Sequence, residues 1–152
     1  MRSELNSFTV FCEDVRAEAN NKISMIGCVQ DTLFISHDFP INIRLNAVCH
    51  VVIPEKGDLN GKFLYLNFPN TKEKSIDLKA VPPTEGSNYV RVIIDLTPFV
   101  FDSEGVVKFF LGGGSGKKVL IGELAVKSSK ELKFSPAKDF PETSLEMERV
   151  GI

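Results

Sequence analysis

The chain has 152 residues, of which 43% are hydrophobic and 25% are charged, and its 18 basic and 20 acidic side chains give a formal net charge of −2. This length fits one domain with a single core. The scattered, balanced charge argues against a nucleic-acid binder, which usually carries a basic excess or stripe.

Membrane and secretory segments are not indicated by the sequence. No apolar stretch approaches the ~20 residues that a membrane-spanning helix needs, and residues 1–6 lack the apolar run of a signal peptide. Cys12, Cys28 and Cys49 form an odd set without C-x-x-C spacing. We therefore expect a cytoplasmic protein without membrane contact, in which the cysteines are small buried hydrophobic residues.

The N-terminal segment is the one with two competing interpretations. Residues 8–12 and 23–29 are typical of strands, whereas residues 13–19 contain good helix formers. Asn20 and Asn21 tolerate the positive φ that a tight hairpin turn requires. The pattern favours a hairpin with strands that extend towards the two asparagines over a short helix.

The clearest periodic signal runs from Ile41 to Ile53, where every odd position is apolar and most even positions are polar. This period of two predicts a strand with one buried face, and we expect its alternate side chains to fill an apolar layer between two sheets. Thirteen residues are long for one strand, so a bend or bulge is expected. Pro54 and the polar residues 55–58 end the segment.

Further alternating segments follow, separated by clusters of Gly, Pro, Asn and Asp. They cover residues 64–68, 76–80 and 90–96, and a closing hairpin built from 106–111 and 118–127. The pattern predicts an all-β, two-layer antiparallel β-sandwich, immunoglobulin-like or C2-like, over residues 1–134.

The last segment, residues 135–152, is polar and punctuated by proline. We expect a possibly flexible tail with no second domain. Leu145, Met147 and Val150 in that tail provide an alternative, which is docking on a neighbouring molecule.

One motif resembles a known family. The residues FCEDVRAE at 11–18, followed by NNKISMIG at 20–27, are similar to the start of a bacterial family of small proteins known as a domain of unknown function. Pro40, the long alternating strand and the hairpin from Gly105 to Val126 fit the same plan. The resemblance implies a β-rich fold and carries over no catalytic residues. The chain departs from the pattern at residues 28–30, where a hydrophobic or aromatic step is expected.

Two motifs that suggest catalysis fail on inspection. Residues 112–117, GGGSGK, lack the glycine of a phosphate-binding loop at position 111, and Lys118 replaces the Ser or Thr that binds magnesium, so a hairpin loop is the better interpretation. His37 and Asp38 are neighbours in an expected loop, but no nucleophile motif accompanies them. The sequence therefore favours a protein that is not an enzyme.

Metal sites are weakly indicated. A zinc site from the cysteines and His50 is awkward, because Cys49 and His50 are adjacent on a strand and point to opposite faces. Glu13, Asp14, Asp31 and Asp38 could gather at one end of a sandwich, yet no spaced calcium-binding loop is present. We expect no metal and no cofactor.

Two functional hypotheses remain. The first is a non-enzymatic protein-binding or scaffold module, with a protein partner or self-association and no nucleic acid. The second is a small-ligand or metal-binding domain, possibly enzymatic, with a site in the loops at one end of the sandwich. The candidate binding residues are charged or polar groups near expected chain reversals and aromatic residues on strands: Glu13, Asp14, Arg16, His37, Asp38, Phe99, Phe101 and Phe110.

Overall fold

The computed structural model describes residues 6–52, 59–82, 89–97, 99–113 and 116–129. Eleven strands run through these residues: β1 (Phe8–Glu18), β2 (Lys22–Val29), β3 (Thr32–Ile35), β4 (Ile41–Ile43), β5 (Asn46–Val52), β6 (Lys62–Asn67), β7 (Lys74–Asp77), β8 (Tyr89–Asp95), β9 (Phe99–Phe101), β10 (Gly105–Gly113) and β11 (Val119–Ser128). The all-β prediction is confirmed.

Two sheets pack face to face around one core. The first has four strands in the order β2-β1-β5-β8, and the second has five in the order β3-β11-β10-β6-β7, while β4 and β9 form a separate two-stranded ribbon. The order β11-β10-β6-β7, together with the neighbours β5 and β8 opposite, follows strands G-F-C-C′ and B-E of an immunoglobulin sandwich. One pairing departs from the antiparallel prediction, because β3 runs parallel to β11.

The N-terminal hairpin is confirmed. β1 and β2 pair antiparallel from Phe11 opposite Val29 to Glu18 opposite Lys22. Asn20 and Asn21 have φ of 61° and 57°, the left-handed conformation that asparagine adopts more readily than most residues. The helix formers between residues 13 and 19 lie in β1, because cross-strand packing outweighs a weak local preference.

The expected bend in the long alternating segment is also present. β4 pairs with β9 in the ribbon, whereas β5 lies between β1 and β8 in the first sheet. The alternation still directs every second side chain inward: Leu45, Ala47, Cys49 and Val51 are all in the core. Ile53, the last residue of the predicted strand, lies outside the described residues.

The prediction of a strand through residues 76–80 is wrong in its second half. β7 ends at Asp77, and residues 78–80 form a single 3₁₀ turn. The Asp77 side chain accepts a hydrogen bond from the backbone N–H of Lys79 at 2.9 Å. This local bond offers the backbone an alternative to strand pairing, and Leu78 is buried in the core from the turn.

The closing hairpin is confirmed, with one irregularity. β10 and β11 pair antiparallel, and their register shifts between Phe109, opposite Gly122, and Phe110, opposite Leu120. Ile121 is therefore the extra residue of a β-bulge, a feature that bends a strand and increases its local twist.

Several predictions lie outside the described residues. They concern the tail at 135–152, with Leu145, Met147 and Val150, and the loop residues Gly114 and Ser115. Within the described part of the chain, no helix has the length and apolar character needed to cross a membrane.

The two sheets are in close contact at Gly122. A Cβ atom placed there would lie 2.6 Å from Cβ and 2.8 Å from Oγ1 of Thr9, a residue of the opposite sheet. Gly122→Ala should therefore lower the free energy of unfolding by about 1–3 kcal/mol through overpacking, measured by urea denaturation. Gly116→Ala is the matched control, because no described residue beyond its chain neighbours lies within 4 Å of its added Cβ. Equal stabilities of the two variants would contradict this account of the sheet contact.

Candidate functional site

The largest cluster of aromatic side chains in the structure opens to the surface as a cleft. It is lined by the turn after β6, the end of β8, the strand β9 and the residues that follow β9. Its volume is about 410 Å³, within the range of ligand-binding clefts in proteins. We call this feature the aromatic cleft.

The floor of the aromatic cleft is built from phenylalanine rings in mutual contact. The ring centres of Phe68 and Phe99 are 4.9 Å apart, and those of Phe99 and Phe101 are 4.4 Å apart. Phe68 also contacts Phe109 in the core, at 6.1 Å between ring centres. Because Phe101 and Phe109 are buried, the core holds the floor in place and little of it can rearrange.

The rim of the aromatic cleft combines one apolar side chain with polar groups. Val100 is 58% exposed and lines the cleft together with Lys74, Asp95 and Asp102. Asp95 Oδ1 accepts a hydrogen bond from the Thr97 backbone N–H at 2.9 Å. Hydrogen bonds from Thr97 hold the pKa of the Asp95 carboxyl group below its usual range, with a smaller contribution from Arg44. Asp95 is therefore charged at neutral pH.

Of the predicted aromatic residues, two lie in this cleft and one does not. Phe99 and Phe101 line it, and Phe101 contributes mainly to core packing because only 2% of it is exposed. Phe110 is half-buried on the opposite side of its strand from Phe109, which lies in the core. The adjacent residues Phe109 and Phe110 thus point to opposite faces of their sheet.

The predicted loop residues come together in a second, shallower feature, which we call the loop hollow. Glu13, His37 and Asp38 line it with Arg44, in a volume of about 590 Å³. The Glu13 side chain lies across Gly27, whose φ is +67°, and a Cβ at Gly27 would lie 2.8 Å from Glu13 Cγ. The loop hollow thus brings two acidic groups, an imidazole and a guanidinium to one end of the sandwich.

Asp14 and Arg16 have a local role. They lie on the same side of β1, as expected, and Arg16 Nε donates a hydrogen bond to Asp14 Oδ2 at 2.9 Å. This bond, together with the nearby charges of Arg16 and Arg44, lowers the pKa of Asp14. Both residues lie outside the two cavities, and an exposed pair of this kind contributes little to stability.

The cysteines differ from the prediction at one position. Cys12 and Cys49 are buried, whereas Cys28 is exposed, because β2 is an edge strand with no neighbour on one side. Burial raises the pKa of Cys49 to about 11, although a hydrogen bond from the Thr9 hydroxyl has the opposite, smaller effect. Among the described residues, no group of three or more His, Cys, Asp or Glu side chains is placed to hold a metal.

A third surface was not predicted from the sequence. Where β5 pairs with β1 and β8, the side chains that point away from the core form a face that is apolar along its middle. We call it the outer face, and its members are Phe8, Val10, Cys12, Asn46, Val48, His50, Val52, Tyr89, Arg91, Ile93 and Asp95.

Several of its apolar members are in contact with solvent. Phe8 is 51% exposed and Ile93 is 49% exposed, while Val48 at the centre is fully buried. The Phe8 ring stacks on His50, with their centres 4.6 Å apart. An outward-facing side of an antiparallel sheet is commonly polar, so this face is unusual.

Comparisons with protein-family models, with curated proteins and with solved structures found no match. The resemblance of residues 11–27 to a bacterial family therefore stays a prediction.

His50 provides a pH-dependent test of the outer face. Its pKa lies below the ordinary value of 6.5, because burial disfavours the charged imidazole and Arg91 repels it. As the pH falls through about 6.5, the unfolded chain binds a proton that the folded chain does not yet bind, so stability decreases. We expect His50→Gln to show a smaller loss of stability than the wild type between pH 7.5 and 5.5, measured by urea denaturation.

His37→Gln is the matched control, because that histidine is exposed in a loop. The carboxyl groups of Asp14, Glu73 and Asp95 have lowered pKa values and titrate below this pH window. If His37→Gln alone removed the pH dependence, the burial argument for His50 would fail.

Proposed function

We propose that this chain is a non-enzymatic protein-binding module that takes an apolar side chain of a partner protein into the aromatic cleft. The observation that carries the proposal is the cleft itself, with a rigid floor of contacting phenylalanine rings and a polar rim. Buried aromatic pockets with polar surroundings are the usual positions of the side chains that dominate protein–protein affinity.

The dimensions and charges of the aromatic cleft fit a peptide segment. Its volume of about 410 Å³ accommodates one or two large side chains, since the smallest ligand sites have about this volume. The rim groups Thr71, Asp95 and Thr97 can hydrogen-bond the backbone of the same segment. The three rings on the floor offer no acid, base or nucleophile to a bound group.

We also propose that the protein works in the cytoplasm. All three cysteines are free thiols, which suits a reducing compartment.

Val100 tests the aromatic cleft, because it lines the cleft and is 58% exposed. We expect Val100→Asp to reduce capture of at least one protein from a host lysate roughly tenfold or more, since a carboxylate without a partner is costly in an apolar site. Capture is measured by quantitative mass spectrometry on the immobilised full chain.

Val106→Asp is the matched control, because it places the same charge on an exposed valine of β10 away from the cleft. Thermal melts of both variants establish that each is folded. The proposal fails if every captured protein binds wild type and Val100→Asp equally well.

A second candidate function is a small-ligand site in the loop hollow. The specific observation in its favour is that Glu13, His37, Asp38 and Arg44 line one cavity. Such a set suits a polar metabolite with both acidic and basic groups, because the cavity carries both signs of charge.

A thermal-shift screen against metals, nucleotides and metabolites tests this second candidate. A ligand that binds only the folded state stabilises it by about 2.7 kcal/mol when its concentration is 100 times its Kd. The melting temperature rises as a result. We expect His37→Ala to abolish any such shift and Asp14→Asn, outside the hollow, to retain it. A shift that survives His37→Ala would place the ligand elsewhere.

A further inference from the structure

We propose that the outer face binds the outer face of a second copy of this chain, forming a two-fold symmetric dimer. The outer face shares only Asp95 with the aromatic cleft. The dimer therefore goes beyond the proposed function, and either can fail without the other.

The apolar side chains of the outer face support self-association. Val10, Val48 and Ile93 lie side by side on three adjacent strands, and Phe8 and Tyr89, at 51% and 39% exposed, extend the apolar area beyond them. Strands with apolar residues on both sides are typical of sheets that are covered on both faces. Exposed apolar patches of this kind mark interaction surfaces.

A buried donor atom on the outer face supports the same dimer. Arg91 Nε is buried, and no described residue accepts a hydrogen bond from it. A guanidinium group has only donors, and a buried donor without an acceptor costs free energy. Arg91 lies beside His50 on the outer face, so an acceptor that approaches this face from another molecule would remove that cost.

The outer face also carries an acceptor for Arg91. This acceptor is Asp95, which a two-fold axis brings opposite Arg91 of the other copy. Across β1, β5 and β8 the pairing defines three rows: Phe8–His50–Arg91, then Val10–Val48–Ile93, then Cys12–Asn46–Asp95. The charged side chains of the first and third rows, Arg91 and Asp95, have opposite sign. Both lie on β8, at equal distances on either side of Ile93.

A two-fold axis along the middle row places these charges together. Rotation about that axis lays the first row of one copy over the third row of the other, and each strand over its own counterpart. Arg91 then faces Asp95 of the second copy, twice per dimer. Each row lies about 7 Å from the axis, given a rise of about 3.4 Å per residue.

Sheet twist changes this arrangement little. Packed sheets are rotated by about 30°, which displaces the facing rows by a few ångströms at the edge strand β8. An arginine side chain is long enough to cover that displacement. Asp95 Oδ1 already accepts a hydrogen bond from the Thr97 backbone N–H, and an ionised carboxylate has further lone pairs with which to accept a second donor.

The size of the face indicates a weak to moderate dimer. Three strands at about 4.8 Å spacing and seven residues at about 3.4 Å give a footprint of roughly 15 by 24 Å. Stable interfaces bury about 800 Å² of accessible surface on each partner, and a face of this footprint is smaller than that. The dimer should therefore dissociate on dilution.

Sedimentation velocity on the full chain over a wide concentration range tests the proposal. The wild type should shift from the chain mass of 16.8 kDa to twice that mass as the concentration rises. Ile93→Asp should stay at the single-chain mass, because it places two like charges opposite each other on the two-fold axis. Val100→Asp, in the aromatic cleft, should dimerise as the wild type does.

Charge variants test the axis itself. Arg91→Asp and Asp95→Asn should each weaken dimerisation tenfold or more, and the exchange Arg91→Asp with Asp95→Arg should recover most of the loss relative to Arg91→Asp. Circular dichroism melts identify any variant that fails to fold. Because Asp95→Arg removes the bond to Thr97, an independent measurement is needed where the exchange variant is unstable.

Chemical cross-linking supplies that measurement. Facing sheets lie about 10 Å apart, a span that a direct disulfide does not reach. Ile93 lies on the proposed axis, so a short bis-maleimide should join two copies of Ile93→Cys, well above the level of the wild type with its exposed Cys28. Val100→Cys should stay at the wild-type level. A wild type that is monomeric at every concentration, a dimer that persists in Ile93→Asp, or a different protein bound at this face would each overturn the proposal.

Discussion

The sandwich depends on β5, because side chains on both faces of this strand are buried. Ala47, Cys49 and Val51 fill the layer between the sheets, while Val48 on the other side is fully buried as well. Because β5 lies between β1 and β8, both neighbours obtain their register from it. A one-residue slip would exchange the inner and outer sets and place His50 in the core, where a polar group without a partner is costly. This fixed register positions both the outer face and the end of β8 that lines the cleft.

Local patterns in the sequence were sufficient for the elements that form between neighbours. The paired asparagines at Asn20 and Asn21 indicated the first hairpin, the period of two in residues 41–53 indicated β5, and the alternation beyond Gly105 indicated the last hairpin. Each signal is contained within about 20 residues, where turn chemistry and periodicity act directly. The 3₁₀ turn after Asp77 was missed because a single side-chain hydrogen bond favours it. The spacing of apolar residues carries no information about such a bond.

The functional surfaces were harder to predict, since they depend on pairings between distant segments. Phe99 and Phe101 were identified as candidates, but their contact with Phe68 requires the turn after β6 to meet β9 across the end of the sandwich. The outer face was missed for a similar reason. Phe8, Val48 and Ile93 are far apart in the chain, and only the registers β1–β5 and β5–β8 place them near one another. A Phe on a strand also fits a buried core, so composition alone did not separate the two roles.

The parallel pairing of β3 with β11 has a consequence for how the chain acquires its structure during synthesis. Thr32 is joined to Ala125, more than 90 residues later, so the five-stranded sheet is incomplete until β11 has left the ribosome. Until then the layer opposite β1 and β5 is only partly formed, and such exposed apolar strands are prone to misassembly. Non-local pairings of this kind also slow folding. For this protein, translation speed and early chaperone contact therefore become determinants of yield, independently of the stability of the finished fold.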